Sequence, residues 1–370
     1  MSKCIVQVVE IDKSEKHNNA DTLDIHQILG WQVITKRGEF KIKDIAVYFP
    51  TGTVLPDTLI ELLGIQNYLS GPEHNRVSKI KLRGERSFGM LVPIHALNIV
   101  SEEKYEVGTD LSEMLGCYKY EPPINQKSGA MGLTNKKHEF WQPYTDIENV
   151  RNYPNIFEEN EEIIVTEKIH GTNVYVGRIF HENGEQEDFA SSRKVQRTKP
   201  DNVSELKNNR YWLPWTLPQF DEMINNIYHD LLEKQIEGFT KQQTNVVDVF
   251  GETYGKGVQS LAYGRTNIGF VVFDIRINGE YISFKETISY CEKHDISHVP
   301  VLCYEKYDFA RLKWLSDGKT VLGNYKHIRE GIVFRPIVER TNPKIGRVIL
   351  KMIGDKYMMS KHQDLDTTDN

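Results

Sequence analysis

A lysine closes the segment Ile163-Ile164-Val165-Thr166-Glu167-Lys168, and Ile169-His170-Gly171-Thr172-Asn173 follows it. The first stretch alternates like a strand, which puts Ile164, Thr166 and Lys168 on one face. A lysine before a glycine turn becomes a nucleophile when its surroundings hold the amine neutral. Most lysines are simply solvated, so the segment gains meaning only from its company.

That company is spread along the chain. Asn245-Val246-Val247-Asp248-Val249-Phe250-Gly251-Glu252 ends in a carboxylate before a glycine-rich turn. The apolar run Gly269-Phe270-Val271-Val272-Phe273-Asp274-Ile275 ends in an aromatic and an acid, and Glu330 stands at the mouth of Gly331-Ile332-Val333-Phe334. Gly346-Arg347-Val348-Ile349-Leu350-Lys351 ends in a second lysine, and Ala190-Ser191-Ser192-Arg193 supplies an arginine. Singly, each charge reads as a strand end meeting water and Phe273 as a core aromatic. Jointly they offer an amine, carboxylates, cations and a stacking ring.

The elements that must position them fall into two parts. A chain of 370 residues is long for one core. Short strands at 6–11, 24–29, 32–35 and 45–49, parted by Gly30, Gly38 and Pro50, predict a small β-barrel. The pattern dissolves near Pro122-Pro123 and Ser128-Gly129, which predicts a linker. Beyond it strands and helices mix. Phe220, Met223, Ile224, Ile227, Leu231 and Leu232 predict an amphipathic helix over 219–236, and Asn278-Gly279 predicts a type I′ hairpin.

Composition bounds the class. With 39% hydrophobic and 26% charged residues the chain reads as globular, and the four cysteines form no close cluster, which fits a reducing, intracellular setting. There is no signal-peptide pattern and no membrane-spanning run, so no membrane partner is expected. A net charge of −6 does not itself advertise nucleic-acid binding, although a local basic stripe suffices for it. His294-Asp295-Ile296-Ser297-His298 has histidines at zincin spacing but aspartate where a zincin needs glutamate, and Pro300 breaks the helix. The run 251–257 fails the P-loop spacing.

Taken in order, the strand-end residues resemble the covalent nucleotidyltransferase superfamily of ligases and RNA-capping enzymes, whose first motif is Lys-x-(Asp/His)-Gly. Lys168-Ile169-His170-Gly171-Thr172-Asn173 resembles the RNA ligase branch, where asparagine replaces an arginine, and 144–149 is similar to the start of the phage RNA ligase 2 catalytic domain. The resemblance spans about 141–359. It implies an ATP-dependent RNA ligase with Lys168 as the residue that takes AMP. Lys351 and a bound Mg²⁺ or Mn²⁺ would supply positive charge, Glu330 and Glu252 would hold the metal, and Glu252 would also meet the ribose. Phe273 would stack on adenine, Glu167 and Asn173 would line the ATP pocket, and Arg193 would sit near the AMP phosphate and the RNA end. Two departures stand out. The family's last motif often reads Lys-x-Lys, whereas Ile349 and Ile353 flank Lys351, so either one lysine suffices or another cation such as Arg347 serves. His170 replaces an aspartate found in some members, and either fixes the loop or does metal work.

The run His17-Asn18-Asn19-Ala20-Asp21 resembles the Asn-Ala-Asp signature of tRNA-binding OB folds, which bind single strands through basic, aromatic grooves. Lys36, Arg37, Lys41, Lys43, Lys79, Lys81, Arg83 and Arg86 are candidates for such a track, or for a solvated charged face. The expected fold class is α+β, with an OB-type β-barrel over 1–120, a linker over 121–139, a nucleotidyltransferase domain of antiparallel sheets with flanking helices over 140–360, and a polar tail over 361–370. Too little chain follows Lys351 for the C-terminal barrel of DNA ligases and capping enzymes, which argues against both; they are the alternatives within enzymes, and a non-catalytic OB-domain RNA-binding protein is the alternative from another class. The expected partner is RNA with 3′-OH and 5′-phosphate ends, in a nicked duplex, acted on by a monomer.

Overall fold

The computed structural model describes residues 5–99, 105–121, 134–233, 236, 238–323 and 327–360. Most of the expected linker (122–133) and the expected tail (361–370) lie outside the described residues. The fold is α+β and divides into two units, one of Met1–Glu121 with Glu148–Asn155 and one of Pro122–Ile147 with Ile156–Asn370.

In the first unit the four expected strands form as Gln7–Glu10, Leu23–Ile28, Trp31–Lys36 and Ile45–Phe49. Gln7–Glu10, Ile45–Phe49 and Met90–Pro93 make one antiparallel sheet, and Lys13–Lys16, Leu23–Ile28 and Trp31–Lys36 make another. Alternate residues turn Val9, Ile28, Val33, Ala46, Tyr48 and Leu91 into a shared core. Gly89 has to be glycine: its φ is +90°, and a Cβ there would lie 2.5 Å from the Tyr48 ring. The hairpin of Lys79–Leu82 with Glu85–Phe88 turns through Arg83 and Gly84 and is tied to the body by the Ile34 amide, which donates to Ser87 Oγ at 3.0 Å. Lys36, Arg37, Lys81 and Arg83 are exposed on this unit. Arg86 is half-buried and pairs across from Lys81.

The second unit is built on two antiparallel sheets. The larger runs Thr134–Asn135, Gln196–Arg197, Gln186–Ser191, Thr172–Phe180, Asn245–Gly255, Ile268–Ile277, Glu280–Tyr281. The smaller places Leu350–Ile353, Gly331–Pro336, Glu162–Lys168 and Val301–Lys306 side by side. The amphipathic helix spans Pro218–Leu232, shorter than expected, and begins on a proline whose missing N–H costs nothing there. It buries Phe220, Met223, Ile224, Ile227 and Leu231 against Val247, Val249, Ile275 and Ile277 of the large sheet. The hairpin at Asn278-Gly279 has both φ angles positive, as a type I′ turn needs. The zincin-like pair never shares a helix. Phe284–Lys293 stops one residue before His294, and Asp295 is left-handed with φ +51°. Among the described residues no helix is long and apolar enough to cross a membrane.

Candidate active site

Strand register brings distant residues together. In the small sheet Thr166 faces Val333 and Lys168 faces Gly331, while Lys351 faces Val333 from the other side. Residues two apart share a face, so Thr166, Lys168, Val333, Arg335 and Lys351 line one floor. In the large sheet Asn173 pairs with Glu252. The cavity over these residues is lined by Glu167, Lys168, Asn173, Arg193, Glu252, Phe273 and Lys351, all seven expected from sequence. It also takes in Tyr144, Thr145, Ile147, Thr166, Thr172, Val299, Val333 and Arg335, for which sequence reasoning assigned no role. Glu330 is buried just before its strand and forms an ion pair with the Lys168 amine. The OB-unit residues Lys36, Arg37, Lys81, Arg83 and Arg86 are not part of this cavity's lining.

The turn after Lys168 is held on several sides. Gly171 is pressed on the neighbouring strand, where a Cβ would lie 2.3 Å from the Thr253 carbonyl oxygen and 2.9 Å from Glu252 Cγ. His170 is buried and does not line the cavity. Its amide donates to Tyr263 Oη at 2.7 Å, its Nε2 lies 3.0 Å from Ser260 Oγ, and its Nδ1 lies 3.0 Å from Tyr357 Oη. Of the two readings of this histidine, these contacts favour an anchor that ties the turn after Lys168 to the 260–263 segment and to the helix Asp355–Met358.

Glu167 Oε2 accepts the Val321 amide at 2.8 Å, but Oε1 is buried without a hydrogen bond, as is Asn173 Oδ1. Burial raises the Glu167 pKa above the usual carboxyl value, against the lowering effect of Thr320 and the Val321 amide. Besides Lys168, the cations are Lys351, Arg335 and Arg193, the last of which ion-pairs with Asp146.

Arg347 is not among the lining residues. Its guanidinium is taken up by Asp274 at 2.9 Å and Glu339 at 2.6 Å, and stacks 3.9 Å over the Tyr281 ring. Arg335 also reaches Asp274, at 2.7 Å, yet remains on the cavity wall. Burial alone would raise the Asp274 pKa, but Arg335 and Arg347 outweigh it and hold the carboxyl below its usual value. Asp274→Asn is therefore expected to cost about 3–5 kcal/mol, since both guanidinium groups lose a shared buried carboxylate. A depressed folded pKa gives stability that is full above the unfolded value of about 3.9 and fades as pH falls through the folded one. Urea unfolding at neutral and acid pH checks both points, and the variant should show the shallower acid loss.

Comparison with known proteins fits this geometry. The RNA ligase family model matches residues 161–353, more than half of the chain. The chain belongs to the RNA ligase family. An OB-fold domain model matches residues 5–94 of this RNA ligase family member, in agreement with its strand pattern. Solved structures with the same fold include Naegleria gruberi RNA ligase mutants determined with ATP and Mn and with AMP and Mn. The first has 22% identity and a TM-score of 0.74, covering 97% of this chain and 99% of that one. The second has 22% identity and a TM-score of 0.71, with the same coverages of 97% and 99%. The Naegleria gruberi enzyme with pyrophosphate gives 22% identity and a TM-score of 0.72, again covering 97% and 99%. No curated protein matches the chain in sequence.

Proposed function

We propose that this RNA ligase family member seals 3′-OH to 5′-phosphate RNA ends with ATP, through an AMP group carried on Lys168. The observation that carries the reading is the company of one amine: Lys168 meets Glu330, and shares a cavity with Glu252, Phe273, Arg193, Arg335 and Lys351. ATP complexes of the Naegleria gruberi fold relative agree with it.

The cavity suits adenosine. Phe273 offers a ring face for the base. The unfilled acceptor Glu167 Oε1 suits the exocyclic amine of adenine, where guanine presents a carbonyl that it would repel. Asn173 Oδ1 and Glu252 are acceptors for ribose hydroxyls. Arg193, Arg335 and Lys351 face the phosphates.

Lys168 forms a bond from Nζ to the α-phosphorus as the bond to the leaving pyrophosphate breaks. The amine attacks without its extra proton, so Glu330, whose charge favours the ammonium, has to yield its ion pair first. An RNA 5′-phosphate oxygen then attacks the same phosphorus and frees Lys168. Finally the 3′-OH attacks the RNA phosphate and AMP departs.

No group of three His, Cys, Asp or Glu side chains able to hold a metal occurs among the described residues. Mg²⁺ and Mn²⁺ do not demand such a cage, because one or two carboxylates with substrate phosphates suffice for Mg²⁺. Glu330 and Glu252 fit that donor set, and a bound ion would supply positive charge to the phosphates.

We place the enzyme inside the cell as a monomer that prefers nicks in duplexes with RNA on the 3′-OH side. A sealing assay with RNA or DNA on each side of a nick, alongside single strands, tests this. Sealing at RNA 3′-OH nicks with ATP, and not with GTP, is expected. Sealing only of all-DNA nicks, or no sealing of any RNA, would overturn it.

A further inference from the structure

We infer that a second groove on the catalytic unit, distinct from the nucleotide cavity, holds the sugar–phosphate backbone of the RNA beside the reacting ends. This inference rests on the RNA-sealing reading of Lys168.

The groove, about 640 Å³, lies between residues 207–219 on one side and 254–270 with 295–297 on the other. Glu252 lines the cavity and Tyr254 lines the groove, and both belong to the strand Asn245–Gly255. Thr253, between them, donates from Oγ1 to the Arg210 carbonyl at 2.7 Å, and Arg210 in turn donates to the Gly257 carbonyl. These bonds tie the two walls together one residue from Glu252 of the nucleotide cavity.

The charge of the groove opposes that of the chain. Lys207, Lys256 and Arg265 line it against the single carboxylate of Asp295, while the whole chain carries −6. All three cations are exposed. Arg265 is laid down in a set position: its guanidinium donates to Asn267 Oδ1 at 3.2 Å and lies 5.5 Å from the Tyr254 ring centre. A Cβ on Gly269 would lie 2.9 Å from Arg265 Nε and 3.1 Å from the Tyr254 ring, so the guanidinium packs over the bare glycine backbone. A planar guanidinium held in this way suits a phosphate. Thr266 and Asn267 add neutral hydrogen-bonding groups on the same wall. A row of cations with amides and hydroxyls, and few acids, matches a strand of phosphates and 2′-hydroxyls better than a protein surface.

The test is binding of a 5′-phosphorylated RNA oligonucleotide to the full chain without ATP, followed by fluorescence anisotropy across a salt series. For the Lys256→Ala/Arg265→Ala pair, affinity is expected to fall tenfold or more. The slope of log K against log salt should lessen by about 1.4, at about 0.7 per lost phosphate contact on a single strand. The Lys207→Ala/Lys256→Ala pair, exposed lysines only, should behave in the same way without disturbing Gly269. Unchanged affinity and slope in both pairs would overturn the groove assignment. Transfer of label from ATP to the protein needs no RNA, so it serves as the folding control and should persist in both pairs. Failure of the wild-type chain to take label would instead sink the proposed function, whatever the binding result.

Discussion

Lys168→Arg is expected to abolish transfer of AMP from ATP to the protein while leaving the chain folded. Arginine can replace the ion pair that Lys168 makes with Glu330, so the buried carboxylate keeps a partner. It cannot become a neutral nucleophile, because its guanidinium stays protonated in proteins. The strand Glu162–Lys168 is paired on both edges, so one longer side chain at its end does not unravel it. Loss on the order of 10⁴-fold or more is the scale for removing a nucleophile. The readout is label from α-labelled ATP on the protein, with thermal unfolding as control. A labelled Lys168→Arg variant would move the nucleophile elsewhere.

Lys351→Ala should slow the same transfer by about 10²–10³-fold, the scale of losing one preorganised group that meets developing charge. Lys351 stands opposite Val333, whose other neighbour across the sheet is Thr166, so register alone aims it into the cavity floor. Its charge opposes that of the phosphates and disfavours an ammonium at Lys168. Removing it should therefore shift the rate–pH profile upward, with part of the lost rate regained at higher pH. A fall that is equal at every pH would assign Lys351 to phosphate binding alone. Single-turnover label transfer across pH distinguishes the two.

Much of this site is written locally. Each of Lys168, Glu252, Phe273, Glu330 and Lys351 ends or interrupts an apolar alternating run, and such positions are visible without knowing the pairing. The strand Ile45–Phe49 was likewise legible to the residue, because its apolar residues are bounded by charge and proline. Sequence could not divide labour between Arg335 and Arg347. Arg335 lies within an apolar strand and Arg347 just before an apolar run, and only the three-dimensional position of Asp274 and Glu339 withdraws Arg347 from the cavity. The hydroxyls around His170 come from Ser260 and Tyr357, 90 and 187 residues away, beyond any local pattern. The helix expected over 219–236 stops at Leu232, where Glu233 caps it with its amide on the His229 and Leu231 carbonyls. The basic groove escaped notice since its cations are scattered at 207, 256 and 265.

The most direct measurement is intact-mass and peptide mass spectrometry of the full chain after incubation with ATP and Mg²⁺, without RNA. One AMP per chain, on the peptide carrying Lys168 and discharged by addition of RNA with a 5′-phosphate, is the expected result. No adduct, or an adduct on another residue with Lys168 unmodified, would contradict the role assigned to that amine.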